Sequence, residues 1–358
     1  MTDKTLTGKQ QIALVNSALQ KREYYFVFTI NFFPAISEIC NIYHIPYLCW
    51  IVDSPVMELY SEAIRNPWNR IFLFDKALYH EFAAYNPDCI FHLPLATNVT
   101  RWDNMIAHAA DSEKKHFSSQ ISFIGSLYSE KCPYYTLHLP SDYLKGYLEG
   151  VICAQSKIYG YFFAEDILDD SLIKQIVDST PDFYQFPEKA RKNNKAAFAQ
   201  FYLGPKITEM ERIELLTALG RQFAVDLYSG STASNLPVHC RGRAKTHTEM
   251  PLIFHESSIN LNITAKSIRS GIPQRVWDVL GCGGFLISNY QIEIPEFLVP
   301  GEDLILYSSA EDLINLAAYY LAHPKERAEI AANGYQKVKT YHTYPLRLTR
   351  MLELAFSL

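Results

Sequence analysis

The sequence predicts an α/β fold of two domains, each a parallel sheet covered by helices, on three observations. Short apolar runs alternate with helical patterns between Tyr24 and about Leu95. After a polar stretch, a second alternation begins at Ile121 and continues to about Ser308. Parallel neighbours need a crossover connection, usually a helix, so both alternations are typical of Rossmann-like domains. We expect the two domains to face a cleft, with ligands bound beyond the carboxyl ends of the strands.

The first domain is predicted to span residues 1–117. It opens with a capped amphipathic helix in "MTDKTLTGKQQIALVNSALQK". Strands are predicted in "YYFVFTI", "PYLCWIV", "RIFLFD" and "CIFHLPL", and helices in "AISEICNIY" and "ALYHEFAAY". The opening segment lacks the apolar run of a signal peptide, and no segment reaches about 18 uninterrupted apolar residues. We therefore expect a cytoplasmic protein without a transmembrane segment.

The second domain is predicted over residues 118–340, with strands in "ISFIGSL", "FAVDLYS", "SINLNI", "GFLIS" and "DLILYS". Residues from about 140 to 220 show helical spacing with many aromatics and no strand-like run of comparable strength. A helical insertion is therefore predicted between the first two strands. A last helix, within residues 341–358, is expected to pack back on the first domain.

Two helix boundaries are predicted from local signals near the end of the second domain. Ser308 and Glu311 have the spacing of a capping box, which predicts that a helix starts there. A further helix is predicted from Pro324, a favoured first-turn residue. That helix is expected to stop near Gly334, since glycine often follows a helix end.

Composition excludes several classes of protein. With 358 residues, of which 48% are hydrophobic, the chain can bury two domain cores. A formal net charge of -5 gives no general attraction to nucleic acid, which is therefore not predicted as a partner. Seven cysteines without a CxxC pair argue against a disulfide framework. There is no HExxH, DxD or Cys/His zinc pattern, so no metal is predicted.

The strongest binding signal is "KSIRSGIPQRVWDVLGCGGFLIS" (residues 266–288). Pro273 suits the first turn of a short helix, whose free N–H groups and positive dipole end would face the preceding loop. Ser270, Gly271 and Ile272 form that loop, and glycine lets the backbone approach a ligand closely. Helix N-termini of this kind bind phosphate groups.

Charged side chains of the same segment extend this prediction. Lys266 and Arg269 would add positive charge to a phosphate site, and arginine can hold phosphate through two N–H groups. Arg275 and Asp278 lie about one helical turn apart, and a carboxylate there would accept hydrogen bonds from ribose hydroxyls. Alternatively, Arg275 and Asp278 form an exposed ion pair worth a few tenths of a kcal/mol.

Three further residues follow predicted strands at their carboxyl ends. Asp53 is a candidate base for deprotonating an acceptor hydroxyl, although Asp-Ser-Pro is also an ordinary turn. Gly125 and Ser126 would let the backbone reach a donor phosphate. A tight turn explains Gly125 equally simply.

The stretch "LNITAKSIRSGIPQRVWDVLGCGGFLISNYQIEIPEFLVPGEDLILYSSAEDL", with "FIGSLYSE" and "DLYSGS" upstream, resembles the C-terminal domain of CgeB-like glycosyltransferases, the spore-maturation type of GT-B enzyme. "FTINFFPAISEICNIYHIPYLCWIVDSP" resembles the accompanying N-terminal domain. The resemblance implies metal-independent transfer of a sugar from a nucleotide donor, without a cofactor, to a glycan, protein or lipid-linked acceptor. Lys266 and Arg269 would then stabilise the departing diphosphate, and Arg243 would contact the base.

The chain departs from these relatives in two respects. Many related retaining enzymes carry two glutamates eight residues apart; Asp278 takes the place of the second, but Ser270 stands where the first is expected. Relatives also usually have a further strand and helix before "MTDKTLT", so a shortened N-terminal domain is expected. A non-catalytic sugar-nucleotide-binding protein therefore remains the alternative. A dehydrogenase is disfavoured because "GCGGFL" is not GxGxxG and precedes a strand.

Overall fold

The structure is a computed structural model that describes residues 7–130, 132–187, 189–233 and 235–356. Its contacts divide the chain into two compact units. Unit 1 comprises Met1–Pro94, Tyr184–Asn194 and Leu348–Leu358, and unit 2 comprises Leu95–Phe183 and Lys195–Arg347. The boundary expected at residue 117 falls inside unit 2 by this division.

Unit 1 is built on a four-stranded parallel sheet in the order β1-β2-β3-β4. Its strands are β1 (Val27–Ile30), β2 (Tyr47–Ile51), β3 (Asn69–Leu73) and β4 (Ile90–His92). Its helices are α1 (Gly8–Leu19), α2 (Pro34–Tyr43) and α3 (Lys76–Phe82), with 3₁₀ turns at Met57–Tyr60, Glu62–Arg65 and Ala83–Tyr85. β2 and β3 are buried along their whole length and form the core. The strands and helices predicted here from apolar runs are confirmed.

Unit 2 contains a six-stranded parallel sheet. Its strands are β5 (Ile121–Ile124), β6 (Val225–Tyr228), β7 (His239–Cys240), β8 (Ile259–Asn262), β9 (Leu286–Asn289) and β10 (Ile305–Tyr307). The order β10-β9-β8-β5-β6-β7 means that the chain starts in the centre, moves to one edge and returns to the other side of β5. This is the doubly wound Rossmann order, with its switch point between β5 and β8. The predicted α/β fold class is confirmed.

Helices cover this sheet and fill the predicted insertion. They are α4 (Val99–His108), α5 (Asp111–Phe117), α6 (Asp142–Ser156), α7 (Asp170–Ser179), α8 (Asn194–Ala196), α9 (Gly204–Gly220), α10 (Met250–Glu256), α11 (Gln274–Gly281), α12 (Ile294–Phe297), α13 (Ala310–Ala322) and α14 (Pro324–Tyr341), with a 3₁₀ turn at Pro133–Thr136 and a π-helix at Ala197–Leu203. The last helix, α15 (Tyr344–Phe356), belongs to unit 1 from Leu348 onward. α4 and α5 pack on α10, which groups them with unit 2. Within the described ranges, no helix combines the length and apolarity needed to cross a membrane.

Helix α13 begins one residue later than predicted. Ser309, not Ser308, is its N-cap, and the Ser309 hydroxyl accepts a hydrogen bond from the backbone N–H of Asp312 (3.1 Å). The backbone N–H of Ser308 instead donates to the Asp312 carboxylate (2.9 Å). The predicted pairing of Ser308 with Glu311 is therefore wrong by one position.

Helix α14 continues past Gly334 to Tyr341, so the predicted stop is wrong. A Cβ at residue 334 would lie 2.3 Å from the carbonyl oxygen of Asp303 and 2.8 Å from a methyl carbon of Leu280. The glycine is needed because the helix backbone packs closely against these neighbours. In the sequence, a glycine needed for close packing looks the same as a glycine that ends a helix.

We expect Gly334→Ala to destabilise the protein by about 1–3 kcal/mol, because the new methyl group overpacks a contact with backbone. Gly150→Ala, in α6, is the matched control: no atom lies within 4 Å of an added Cβ there. Alanine at that position should stabilise the helix by about 0.5–1 kcal/mol. Urea denaturation measures both changes, and a stabilising Gly334→Ala would contradict the packing role.

Candidate functional site

A polar cavity of about 390 Å³ opens in unit 2 at the carboxyl ends of β5 and β6. The loops after these strands line it, together with the segment before α10 and the first turns of α10 and α11. It lies next to the switch point, where doubly wound sheets bind their ligands. The cavity brings together four of the predicted donor-binding residues, namely Gly125, Ser126, Arg243 and Arg275.

Arg275 contributes a partly buried cation from the first turn of α11. Its guanidinium lies 5.2 Å from the ring centre of Phe254, and Nη1 lies 3.9 Å from the sulfur of Met250. Among the described residues, no carboxylate comes within 4.0 Å of it. Burial lowers the pKa of Arg275 to about 10, offset in part by the charge of Asp278. At neutral pH the side chain is therefore charged, without an ion-pair partner.

Arg212, which sequence reasoning missed, lies behind the loop that follows β5. It is 8% exposed, and its Nη1 and Nη2 donate to the carbonyl oxygens of Ser126 (2.5 Å) and Ile263 (2.6 Å). Its Nε is buried without a hydrogen-bond partner. No carboxylate of the described ranges lies within ion-pair distance of this guanidinium either. Burial lowers the pKa of Arg212.

A signal for Arg212 was present in the sequence. The residue precedes Leu215, Leu216 and Leu219 at spacings that place all four on one face of α9. An arginine on an apolar stripe is rarely buried unless it has a partner or a function. The same spacing also suits an arginine whose stem covers apolar surface while its charge reaches solvent. The sequence pattern therefore does not show whether the Arg212 guanidinium is buried.

Short polar side chains fix the loop after β5 against the cavity. The Ser126 hydroxyl accepts from the backbone N–H of Tyr128 (2.9 Å), and the Ser231 hydroxyl accepts from that of Leu127 (2.8 Å). A Cβ at Gly125 would lie 3.1 Å from the Phe123 ring and 3.4 Å from Nη1 of Arg212. The loop backbone thus stays close to both the cavity and the buried cation.

Two other charged residues line the cavity near solvent. Arg243 is exposed, on the segment between β7 and α10. Glu130 is also exposed, and its carboxylate accepts a hydrogen bond from the Ser126 hydroxyl (3.2 Å). Among the described residues lining the cavity, arginines therefore outnumber carboxylates.

The predicted phosphate loop lies elsewhere, buried against the segment after β9. The Ser270 hydroxyl donates to Glu293 (2.7 Å), and the carbonyl oxygen of Gly271 accepts from the Gln291 amide (3.2 Å). Ile272 and Pro273 are also buried, and none of the four residues lines the 390 Å³ cavity. Their predicted ligand contacts stay predictions without geometric support.

Lys266 and Arg269 also lie outside the cavity. The Lys266 ammonium is 3.1 Å from Glu211, donates to the carbonyl oxygen of Ile158 (3.3 Å), and is 8% exposed. Nη1 of Arg269 lies 3.9 Å from Glu165. Both line a separate space of about 10 Å³, enough for about one water molecule. The protein itself neutralises these two cations.

The two predicted carboxylates are engaged within their own units. In unit 2, Oδ1 of Asp278 accepts from the Thr97 hydroxyl (2.8 Å) and the Gln274 amide (2.9 Å), and burial raises the Asp278 pKa. Asp278 does not line the cavity, so a ribose contact has no support from its position. In unit 1, Asp53 follows β2 and accepts from the Asn31 side chain (2.8 Å). In the described part of the chain, no group of three or more His, Cys, Asp and Glu side chains is arranged to hold a metal.

Comparisons with known proteins agree with this architecture. Residues 212–353 match the sequence model of a family described as glycosyl transferase-like. No curated protein sequence matches the chain. The glycosyltransferase-like match includes Arg212, Arg243 and Arg275.

Several solved structures are similar over nearly the whole chain. A glycosyltransferase from Rickettsia africae gives a TM-score of 0.53 at 10% identity, covering 100% of this chain and 83% of that one. HepE from Anabaena, in complex with UDP-glucose, gives a TM-score of 0.53 at 9% identity, covering 98% of this chain and 82% of that one. Sucrose-phosphate synthase from Thermosynechococcus elongatus gives a TM-score of 0.53 at 11% identity, covering 97% of this chain and 76% of that one. The chain has the fold of GT-B glycosyltransferases.

We expect Lys266→Met to destabilise the protein by about 3–5 kcal/mol, because it leaves the buried Glu211 without its counter-charge. Burial already raises the pKa of Glu211. A carboxyl whose folded-state pKa is raised loses stability as pH rises above its unfolded pKa, so the deficit should grow from pH 5 to pH 8. Urea denaturation across this pH range measures it.

The double variant Glu211→Gln/Lys266→Met is the control for this ion pair. Removing both charges should restore most of the lost stability, because no unpaired ion then remains buried. A Lys266→Met variant as stable as the wild type at pH 8 would contradict the structural role.

Proposed function

We propose that the protein is a glycosyltransferase whose donor, a uridine diphosphate sugar, binds in the polar cavity of unit 2. The observation that carries this proposal is the pair Arg212 and Arg275, one buried and one partly buried cation, for which no carboxylate of the described residues lies within ion-pair distance. Burying an uncompensated charge costs several kcal/mol. A pair of such cations beside a cavity therefore indicates an anionic ligand. A diphosphate fits because guanidinium groups match phosphate oxygens bidentately.

Size and likeness support a nucleotide sugar as that anion. The volume of about 390 Å³ falls within the usual range for small-molecule sites, about 300–1,000 Å³. The similar HepE structures were solved with UDP-glucose and with UDP. We therefore assign the diphosphate to Arg212 and Arg275, and we place the nucleotide base beside Arg243. The transferred group in this proposal is a hexose.

The proposed reaction needs few protein groups. The bond between the sugar C1 and the diphosphate oxygen breaks as an acceptor hydroxyl oxygen bonds to C1. Arg212 and Arg275 stabilise the charge that develops on the departing diphosphate, the kind of electrostatic contribution that usually dominates such catalysis. Asp53 takes the proton of the acceptor hydroxyl. The acceptor belongs to a glycan, a protein or a lipid-linked chain.

Lys266 and Arg269 have a different role in this proposal from the one that the resemblance implies. Both already face carboxylates, at 3.1 Å and 3.9 Å. Stabilising a diphosphate would require these ion pairs to break. Arg275 lines the cavity and, among the described residues, has no ion pair to break. Arg212 contributes its positive charge from behind the loop after β5 while Nη1 and Nη2 stay bonded to carbonyl oxygens, which is why we assign the diphosphate to these two arginines.

We expect Arg275→Gln to weaken UDP binding about 10- to 100-fold, because a hydrogen bond to a charged group contributes about 1.5–3 kcal/mol and 1.4 kcal/mol is tenfold. Isothermal titration calorimetry with UDP gives the Kd. Arg221→Gln, at the exposed C-cap residue that follows α9, removes the same charge away from the cavity and should bind UDP as the wild type does. Equal UDP affinity in the wild type and Arg275→Gln would overturn this donor site.

We also expect EDTA to leave UDP affinity and UDP-glucose turnover within about twofold of the untreated protein. The two arginines supply the positive charge that a divalent cation would otherwise bring to a diphosphate. UDP release from UDP-glucose is followed in EDTA and in added Mg²⁺. A large stimulation by Mg²⁺ would show that the proposed metal-independent mechanism is incomplete.

A second function, sugar-nucleotide binding without transfer, is favoured by one observation. Ser270 stands where retaining relatives are expected to carry a glutamate, and its hydroxyl donates a hydrogen bond to the Glu293 carboxylate (2.7 Å). UDP binding by a wild-type chain that releases no UDP from UDP-glucose, with or without sugar acceptors, would favour this second function.

A further inference from the structure

Asn31 is in a conformation that a non-glycine residue rarely adopts. It follows β1, with φ of +63°, and is 5% exposed. Asparagine tolerates this left-handed region better than most residues, but its use in a buried position still calls for a reason. Such outliers persist where surrounding contacts enforce them, and they cluster at functional sites.

Five hydrogen bonds hold Asn31 between β1 and the end of β2. Its backbone N–H donates to the carbonyl oxygen of Trp50 (2.8 Å), and its carbonyl oxygen accepts from the Thr29 hydroxyl (2.7 Å). Its side-chain Oδ1 accepts from the backbone N–H groups of Val52 (3.0 Å) and Asp53 (3.2 Å). Its Nδ2 donates to Oδ2 of Asp53 (2.8 Å).

These contacts determine which way the amide points. Two backbone N–H donors face Oδ1, so rotating the amide by 180° would set Nδ2 against both donors and turn Oδ1 towards a carboxylate. The Asn31 N–H must therefore face Asp53. The carboxylate of Asp53 is oriented by a donor that cannot turn away without losing three hydrogen bonds.

The buried side chain of Tyr47 supports the same turn. The Tyr47 hydroxyl lies 2.7 Å from the Thr29 hydroxyl and accepts from the backbone N–H of Phe33 (3.0 Å). Tyr47 is fully buried, and burial raises its pKa well above the usual value, so it stays neutral. The residues on both sides of Asn31 are thus held independently of Asp53.

We propose that Asn31 is a positioning residue that holds the Asp53 carboxylate for proton abstraction from the acceptor hydroxyl; this inference rests on the proposed function. As the acceptor oxygen bonds to the sugar C1 and the diphosphate departs, the hydroxyl proton passes to Asp53. Asn31 keeps one carboxylate oxygen hydrogen-bonded throughout. The Asn31 amide is buried, whereas Asp53 is exposed at the end of β2.

Two variants separate positioning from folding. Asn31→Asp keeps an acceptor for both backbone N–H groups but faces Asp53 with a second carboxylate. Asn31→Gly keeps the left-handed conformation without strain and removes the whole amide, both the donor to Asp53 and the acceptor for the N–H groups of Val52 and Asp53. In both variants, turnover of UDP-glucose to UDP, with water as the acceptor, should fall about 10- to 100-fold. The KM for UDP-glucose should stay within about twofold, because the donor cavity is unchanged.

His44→Gly is the matched control. His44 also has a left-handed conformation in unit 1, with φ of +56°, but it is exposed at the end of α2 and stacks on Trp68. This variant should retain wild-type turnover. Asp53→Asn gives the turnover expected when the base itself is lost.

The outcomes distinguish this inference from the proposed function. Wild-type turnover in Asn31→Asp and Asn31→Gly, with Asp53→Asn inactive, overturns the positioning role and leaves the donor site intact. A wild-type chain that binds no UDP overturns the proposed function instead. If the wild type binds UDP but releases none from UDP-glucose, the pairing of Asn31 with Asp53 is decided by NMR.

The NMR measurement needs no substrate. In a chain with ¹⁵N-labelled asparagine, the Asn31 side-chain amide resonances should shift as Asp53 is titrated, and Asp53→Asn should abolish that shift. Amide resonances that do not respond to pH in the wild type overturn the inference.

Discussion

The cost of holding a cation away from water without a counter-charge is the constraint on which the site of this protein depends. Unit 2 meets that constraint in two different ways. Lys266 is buried beside Glu211, so its charge is compensated within the fold. Within the described part of the chain, the hydrogen bonds and ring contacts of Arg212 and Arg275 are with carbonyl, sulfur and aromatic groups. The first arrangement is a structural ion pair, and the second is the one to which we assign the donor diphosphate.

The strand order of unit 2 explains why these two arginines meet. Because the chain starts in the centre of the sheet and reverses direction, the loops after β5 and β8 leave on either side of the switch point. α11, which follows β8, brings Arg275 to the cavity. α9, which precedes β6, places Arg212 against the loops after β5 and β8, where it donates to the carbonyl oxygens of Ser126 and Ile263. The two residues are 63 positions apart in sequence, so no local motif contains both.

In unit 1, two polar side chains come together at the corresponding edge of its own sheet. Parallel strands end together at one edge, so Asn31 after β1 and Asp53 after β2 become neighbours although 22 positions separate them. The network around Tyr47 holds the turn in place, and the Asn31 amide orients the carboxylate. The unusual backbone of Asn31 is therefore a consequence of hydrogen bonds on both its faces, not a local preference of the sequence.

The alternation of apolar runs and helical patterns determined the α/β class, most strands and the helical insertion, because burial of a sheet and its covering helices imposes that periodicity locally. β7 was not predicted, because a strand of two residues is too short to show an alternation of apolar and polar residues. Gly334, Lys266 and Asp278 were each interpreted as a local signal, and the structure uses each for packing or pairing with a distant segment. The sequence alone thus determined the elements and the sheet edge at which the polar cavity of unit 2 opens. Only the tertiary structure decided which charges compensate one another, because a charge is paired or unpaired according to its neighbours in space.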